Sequence, residues 1–151
     1  MKILTKPRGS KMGRVLTAIK AENMEDLFAL KRGLIRSVEV RAVQVNEALV
    51  DTGATILSLP TRLIQELGLD FKYHRLTETP VGLRKVKVYS PVRLSVQDRE
   101  CVVDVAELKN RRAPALVGQI PLELMDFVVD PRQRKITPNP AHGGKWMMEL
   151  F

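Results

Sequence analysis

Two short apolar triplets, each followed by a tight loop, constrain the fold more than any other feature of the chain. The triplet Ala-Leu-Val at positions 48–50 precedes Asp51, and the same three residue types recur at 115–117 before Gly118. A proline that can open a short helix follows each loop. The repetition indicates two halves related by a pseudo-twofold axis, each with an apolar strand, a loop and a short helix.

The rest of the chain has the pattern of many short strands separated by turn residues. Two short helices are predicted, at 60–67 with a left-handed cap at Gly68, and at 121–125. Phe127 to Val129 and the segment ending at Ile136 predict a closing hairpin. Other β-branched or alternating runs predict strands at 14–19, 38–45, 48–50, 85–89, 92–96, 101–105 and 115–117. This pattern is typical of an all-β barrel or sandwich.

Length and composition fit one domain without covalent cross-links. The chain has 151 residues, of which 44% are hydrophobic and 28% charged, the balance of a folded globular protein. Cys101 is the only cysteine, which favours a reducing compartment. No apolar run is long enough for a signal peptide or a membrane span, so we expect a cytoplasmic protein with no membrane partner. We divide the chain into a loose basic leader (1–11), a domain (12–140) and an apolar C-terminal tail (141–151).

The basic charge of the chain does not by itself indicate a nucleic-acid partner. The net charge is +8, but lysine and arginine are spread along the whole sequence, and aromatic residues make up only 5% of it. Too few aromatic side chains are present for a base-stacking platform. His74 and His142 are isolated, and no cysteine-rich spacing occurs, so neither a metal site nor a cofactor is expected.

The segment at 48–55, ALVDTGAT, resembles the active-site signature of the aspartic peptidases in its single-motif, retroviral form. The tripeptide DTG alone is common in turns, but here an apolar strand precedes it, and ILSLP and a helix follow it. Leu-Val-Gly at 116–118 resembles the second-half element of the same family. The similarity extends from about residue 12 to residue 140, and the segment at 23–35 also resembles small bacterial and archaeal members. The resemblance implies a retropepsin-like closed barrel with one or two short helices, functional as a homodimer.

The resemblance further implies an aspartic endopeptidase with Asp51 as its catalytic residue. Hydrolysis of a peptide bond without a metal or a covalent nucleophile needs an activated water and a proton donor. Two close carboxylates that share one proton can fill both roles. Gly118 holds the position equivalent to Asp51 in the second half, so each chain supplies one such carboxylate. An isologous dimer would bring two of them together over a peptide or protein substrate.

The neighbours of Asp51 have roles that follow from the family and from their chemistry. In the family, the hydroxyl at the position of Thr52 locks the two loops together. Gly53 permits an unusual backbone angle and an amide directed at the carboxylate. Ala54 leaves room for the backbone of a substrate. We therefore expect Thr52 and Gly53 to support the site and Ala54 to bind substrate.

A β-hairpin flap covers the site in this family, and the segment at 75–88 is its expected counterpart. Its tip carries the expected substrate-binding residues Pro80, Val81 and Gly82. Retroviral members have several glycines at this tip, whereas this chain has one. They also join an Asp and an Arg in a salt bridge, at positions held here by Thr55 and Gln119. These departures keep a second hypothesis open, a catalytically silent dimeric β-barrel that binds peptides or acts as a scaffold.

The C-terminal tail ends in an apolar cluster, KWMMELF at 145–151, beyond a joint at Gly143 and Gly144. Apolar clusters of this kind seldom remain in water without a partner. We expect the tail to dock at or near the dimer interface. Occupation of the cleft as a substrate mimic and a disordered tail are the alternatives.

Overall fold

The computed structural model describes residues 14–150 and is mostly β-sheet, with 47% of the residues in strands and few helices. The leader expected at 1–11 lies outside the described residues. The strands are β1 (Leu16–Asn23), β2 (Ala42–Val50), β3 (Leu57–Pro60), β4 (Phe71–Thr79), β5 (Gly82–Val96), β6 (Arg99–Leu108), β7 (Leu116–Val117), β8 (Phe127–Asp130) and β9 (Lys135–Pro138). The helices are α1 (Met24–Lys31), α2 (Thr61–Leu67) and α3 (Gln119–Leu124), with 3₁₀ turns at Ser37–Glu39 and Pro140–His142.

Seven strands form one sheet in the order β1-β2-β7-β3-β6-β5-β4, and β1 also pairs with β5. β8 and β9 form a separate two-stranded sheet. The short strand β7 lies between β2 and β3, parallel to the first and antiparallel to the second. Leu49 is opposite Leu116, and Val50 is opposite Val117. The two apolar triplets of the sequence are therefore neighbours in register.

The strands that alternate in sequence and the strands that are apolar throughout differ in how they are buried. In β5, Val88, Val92, Leu94 and Val96 are buried, whereas Arg93 and Ser95 are half-buried. This period of two places one face of the strand against the core. The triplet at 48–50 is buried throughout, because β2 is covered on both faces where it meets β7.

The helices begin and end at residues with clear local signals. The side chain of Asn23 accepts a hydrogen bond from the N–H of Asp26 and caps α1. Helix α2 buries Leu63, Ile64 and Leu67 against the core, and it ends at a left-handed Gly68, as expected from the sequence. No helix within residues 14–150 is long and apolar enough to cross a membrane.

Three expectations from the sequence need correction. The expectation of one or two short helices is wrong, because α1 is a third; none of its side chains is fully buried, which leaves a weak periodic signal. The strand predicted at 38–45 begins only at Ala42, after a 3₁₀ turn. The region before residue 75, where no strand was predicted, belongs to β4. Most of β4 is exposed on both faces, so its sequence does not alternate.

Candidate functional site

Asp51 lies at the point where β2 leaves the sheet and enters a tight loop. Its N–H donates to the carbonyl of Val117, 2.9 Å away, so the second triplet fixes the start of the loop. The N–H of Ala54 donates to the carbonyl of Asp51 at 3.0 Å and closes the turn. Thr52 and Gly53 are exposed between these anchors. The loop is thus rigidly attached at its base and open at its tip.

The carboxylate of Asp51 is buried and only half satisfied. Its side chain has 0% exposure, and Oδ1 accepts a hydrogen bond from the N–H of Gly53 at 2.9 Å, as the sequence predicted. Oδ2 has no hydrogen-bond partner within the described residues. A buried polar oxygen without a donor is costly, and such groups in proteins normally have a partner. A donor from outside residues 14–150 would satisfy this oxygen.

The loop after β7 supports the Asp51 loop by backbone contacts that leave no space for a side chain. The N–H of Gln119 donates to the carbonyl of Ala54, and the N–H of Ile120 donates to that of Thr55, both at 2.9 Å. A Cβ atom added at Gly118 would lie 2.5 Å from the carbonyl oxygen of Ile56 and 2.7 Å from that of Ala54. Only glycine fits this position, which explains why Gly118 follows the second triplet.

Thr55 and Gln119, where the sequence differs from the retroviral pattern, make separate contacts in this region. The side chain of Gln119 donates to Oε1 of Glu123 at 2.9 Å, on its own helix. Thr55 instead contributes its backbone carbonyl to the N–H of Ile120. Backbone hydrogen bonds join the two loops here, and no buried charge is left unpaired by the exchange.

A cavity of about 330 Å³ separates the Asp51 loop from the hairpin formed by β4 and β5. Gly53 and Ala54 line one side, and hairpin residues that include Leu76 and Val86 line the other. Of the residues predicted to bind substrate, Ala54 therefore borders the cavity. Three residues at the hairpin tip do not line it and are exposed: Pro80, Val81 and Gly82.

The hairpin expected at 75–88 is present, although it is longer than predicted. Thr79 pairs with Gly82, so Pro80 and Val81 form the turn. The hydroxyl of Thr79 donates to the carbonyl of Gly82 at 2.7 Å, and Gly82 has a φ of 112°, which favours glycine. The one glycine at the tip is therefore the one that the turn needs.

Sequence reasoning missed Glu107 and Arg75, which both line the same cavity. Oε2 of Glu107 accepts a hydrogen bond from the hydroxyl of Thr61 at 2.7 Å, and Oε1 is buried with no hydrogen-bond partner within residues 14–150. Burial raises the pKa of the Tyr89 hydroxyl, and the charge of Glu107 raises it further. The sequence alone does not single out Glu107, because Asp104 is a second acidic residue in the same run, CVVDVAEL, and does not line this cavity.

The C-terminal tail lies against the end of α3. The indole N–H of Trp146 donates to the carbonyl of Leu124 at 3.0 Å, and the N–H of Met147 donates to the carboxylate of Asp126 at 3.1 Å. The guanidinium of Arg99 donates to the carbonyl of Gly144 and lies 5.9 Å from the centre of the Trp146 ring. No described tail residue lines the 330 Å³ cavity. Docking of the tail at a dimer interface stays a prediction.

Within the described residues, no group of three or more His, Cys, Asp or Glu side chains is placed to hold a metal ion. No protein-family model matches the chain. A search of curated proteins also found no match. The chemistry of the site therefore rests on its own geometry.

Proposed function

We propose that the chain is an aspartic endopeptidase that acts as a homodimer, with the Asp51 carboxylates of two chains activating one water molecule. The observation that carries this proposal is the buried carboxylate whose Oδ1 accepts from the N–H of Gly53 and whose Oδ2 has no partner among residues 14–150. A second carboxylate that shares a proton with the first would provide the missing donor.

The strand pairings favour the retropepsin-like closed barrel that the sequence suggested. Because β1 pairs with both β2 and β5, the pairings form a closed ring through β1, β2, β7, β3, β6 and β5. The β4–β5 hairpin lies across the 330 Å³ cavity from the Asp51 loop, which supports a role as the flap of the proposed enzyme.

The proposed mechanism gives the paired carboxylates complementary roles. The ionised carboxylate takes a proton from the attacking water, whose oxygen bonds to the carbonyl carbon of the substrate. The protonated carboxylate provides its proton to the carbonyl oxygen, and a proton then passes to the leaving nitrogen as the C–N bond breaks. The N–H of Gly53 holds the carboxylate in place throughout. Thr52 is exposed beside it and is free to donate to the partner's loop.

The decisive experiment is a peptide-library digest at several pH values with the wild type and the variant Asp51→Asn. The asparagine is nearly isosteric and still offers an oxygen to the N–H of Gly53, but its amide cannot accept the proton of water. We expect hydrolysis to be abolished, with the thermal unfolding temperature nearly unchanged. Asp98→Asn, in the exposed turn between β5 and β6, is the matched control and should retain full activity. Wild-type rates in Asp51→Asn would place the chemistry elsewhere.

A catalytically silent peptide-binding dimer is the second candidate. It is favoured by the hairpin tip, whose residues are exposed and do not line the cavity. Binding of library peptides by the wild type without cleavage at any pH would support this candidate over the peptidase.

A further inference from the structure

A second cavity, of about 640 Å³, opens beside the start of β7. Its walls are the segment 44–47 of β2, the residues Pro60, Arg62 and Leu63 where β3 passes into α2, and the loop at 111–115. We call this cavity the arginine slot, because Arg62, Arg111 and Arg112 all line it. It shares no lining residue with the cavity beside the Asp51 loop.

The slot exists because β7 is only two residues long. β7 pairs with β2 only at Leu49 and Val50, and the chain before it turns aside where the N–H of Ala113 donates to the carbonyl of Asn110. The segment 44–47 therefore has no strand partner on that side within residues 14–150, although β2 and β3 continue on either side of the gap. An extended segment placed there would continue the line of β7.

The residues that line the slot carry an excess of positive charge. None of its three arginines has a carboxylate within ion-pair distance in the described part of the chain, whereas Arg36, Arg41 and Arg93 each have one. Of the described residues that line it, Glu47 alone is acidic. Guanidinium groups bind carboxylates with two parallel hydrogen bonds, so the slot is complementary to acidic side chains.

We propose that the arginine slot binds an extended acidic segment of a partner protein by strand addition to β2. The free edge of the 44–47 segment would supply main-chain hydrogen bonds, and the three arginines would pair with acidic side chains of the bound segment. Apolar walls at Val45 and Leu63 suit the side chains between them. The described lining of the slot has no aromatic side chain to stack with a base, which favours a polypeptide over a single-stranded nucleic acid.

The chain's own N-terminal sequence does not have the required chemistry. Its first eleven residues contain Lys2, Lys6, Arg8 and Lys11 and no acidic residue. A basic segment would add like charge to the slot. The proposal does not depend on hydrolysis at Asp51, because the two sites use different residues.

The test measures binding of fluorescent peptides to the full chain carrying Asp51→Asn, so that cleavage cannot resemble weak binding. The probes are peptides of roughly eight residues in which valine alternates with glutamate, or with glutamine as an uncharged control. The paired variant Arg111→Glu with Arg112→Glu should weaken binding of the glutamate peptide about tenfold or more, since two attractions become repulsions. Glu47→Gln should strengthen it about twofold to fivefold.

The matched control is Arg132→Glu with Arg134→Glu, which makes the same charge change in the turn between β8 and β9, outside the slot. It should change affinity less than about twofold. A glutamate peptide N-methylated at alternate residues should bind weakly, because it lacks the N–H groups that would donate to the carbonyl groups of a neighbouring strand.

The proposal would be overturned in favour of general charge attraction if the slot and control variants lost equal affinity for the glutamate peptide. Binding of the N-methylated peptide with undiminished affinity would have the same consequence. Equally tight binding of a single-stranded oligonucleotide that is sensitive to the same slot variants would overturn it in favour of a nucleic-acid site. Failure of all peptides to bind would also overturn it. None of these results bears on hydrolysis, which is tested separately with the wild type.

Discussion

At the scale of single residues, the candidate site depends on the carboxylate of Asp51 and on the missing side chain of Gly118. Oδ1 of Asp51 has a donor, whereas Oδ2 has none within residues 14–150 and can accept one further hydrogen bond. Gly118 allows two carbonyl groups to approach where any Cβ would collide. Both features concern the position of one loop, and each can be changed by one substitution.

The first residue-scale prediction concerns pH. Under the proposed mechanism the two Asp51 carboxylates must hold one proton between them, and loss of that proton leaves two repelling charges. Hydrolysis is therefore expected to be faster at about pH 5 than at about pH 9. Initial rates on one library peptide, with circular dichroism at each pH to verify the fold, provide the measurement. A rate that continues to rise above neutral pH would contradict the shared proton.

The second residue-scale prediction is that Gly118→Ala damages the site. The new Cβ must push the Asp51 loop away, at a cost of about 1–3 kcal/mol in the free energy of unfolding. We expect hydrolysis to fall by at least about tenfold, because displacement of catalytic groups is costly. Denaturant unfolding and peptide digestion measure the two effects.

Gly33→Ala is the control for that experiment. The new Cβ would meet no atom of residues 14–150 within 4 Å, but the φ of 73° is strained for alanine, so the variant should lose about 1–2 kcal/mol in the free energy of unfolding through the backbone alone. Activity should be unchanged in this variant. If both variants lose activity equally, global destabilisation and not the loop explains the loss.

At the scale of elements, the sequence predicted those parts whose signals are local. The triplets at 48–50 and 115–117 predicted buried strands, and Gly68 predicted the end of α2. Both signals, a continuous apolar run and a left-handed cap, depend only on residues that are adjacent in the sequence. Helix α1 was missed although Asn23 and the acidic residues after it form a recognisable start. The cavity residue Glu107 could not be predicted, since only the folded sheet brings it opposite the Asp51 loop.

The element-scale prediction concerns the attachment of the C-terminal tail. The hydrogen bond from His142 lowers the pKa of Asp126, and burial opposes this; the N–H of Met147 and the side chain of Asn139 lower it further. Because this pKa is lowered, the ionised carboxylate of Asp126 stabilises the attached tail fully above the ordinary pKa of about 3.9. This stabilisation is lost as the pH falls through the pKa of the folded state. Acid should therefore release the tail.

Trp146 is the only tryptophan of the chain, so its fluorescence reports the release directly. We expect its emission to change below about pH 4 in the wild type. Asp126→Asn, which tolerates the φ of 58° at this position, should show the released spectrum already at neutral pH. Asp98→Asn is the control and should follow the wild type. The same titration curve for wild type and Asp126→Asn would show that this carboxylate does not hold the tail.

At the scale of the whole molecule, the proposed function requires two copies of the chain, because each copy supplies one Asp51 carboxylate. The exposed tip of the Asp51 loop, at Thr52 and Gly53, leaves room for a second copy to approach. The overall β-rich character was predictable from short strand signals, and the structure confirms it. The order of the strands was not predictable, because pairing between β1 and β5 or between β2 and β7 joins residues far apart in sequence.

The whole-molecule prediction is that hydrolysis per chain depends on protein concentration. Dilution should reduce the specific activity in parallel with the fraction of dimer, because a lone carboxylate cannot be acid and base together. Sedimentation velocity and peptide digestion over the same concentration range provide the measurement. A monomer with full specific activity would exclude the shared site.

The position of β7 between β2 and β3 also has a consequence for the order of events during protein synthesis. Asp51 receives its backbone partner from Val117, and the carbonyls of Ala54 and Thr55 receive theirs from Gln119 and Ile120. Because the ribosome makes the chain from its N-terminus, these partners emerge long after the loop that they hold. A nascent chain, or a fragment that ends before residue 115, thus contains the DTG sequence without the scaffold that shapes it, and the site is assembled only when most of the chain has been made.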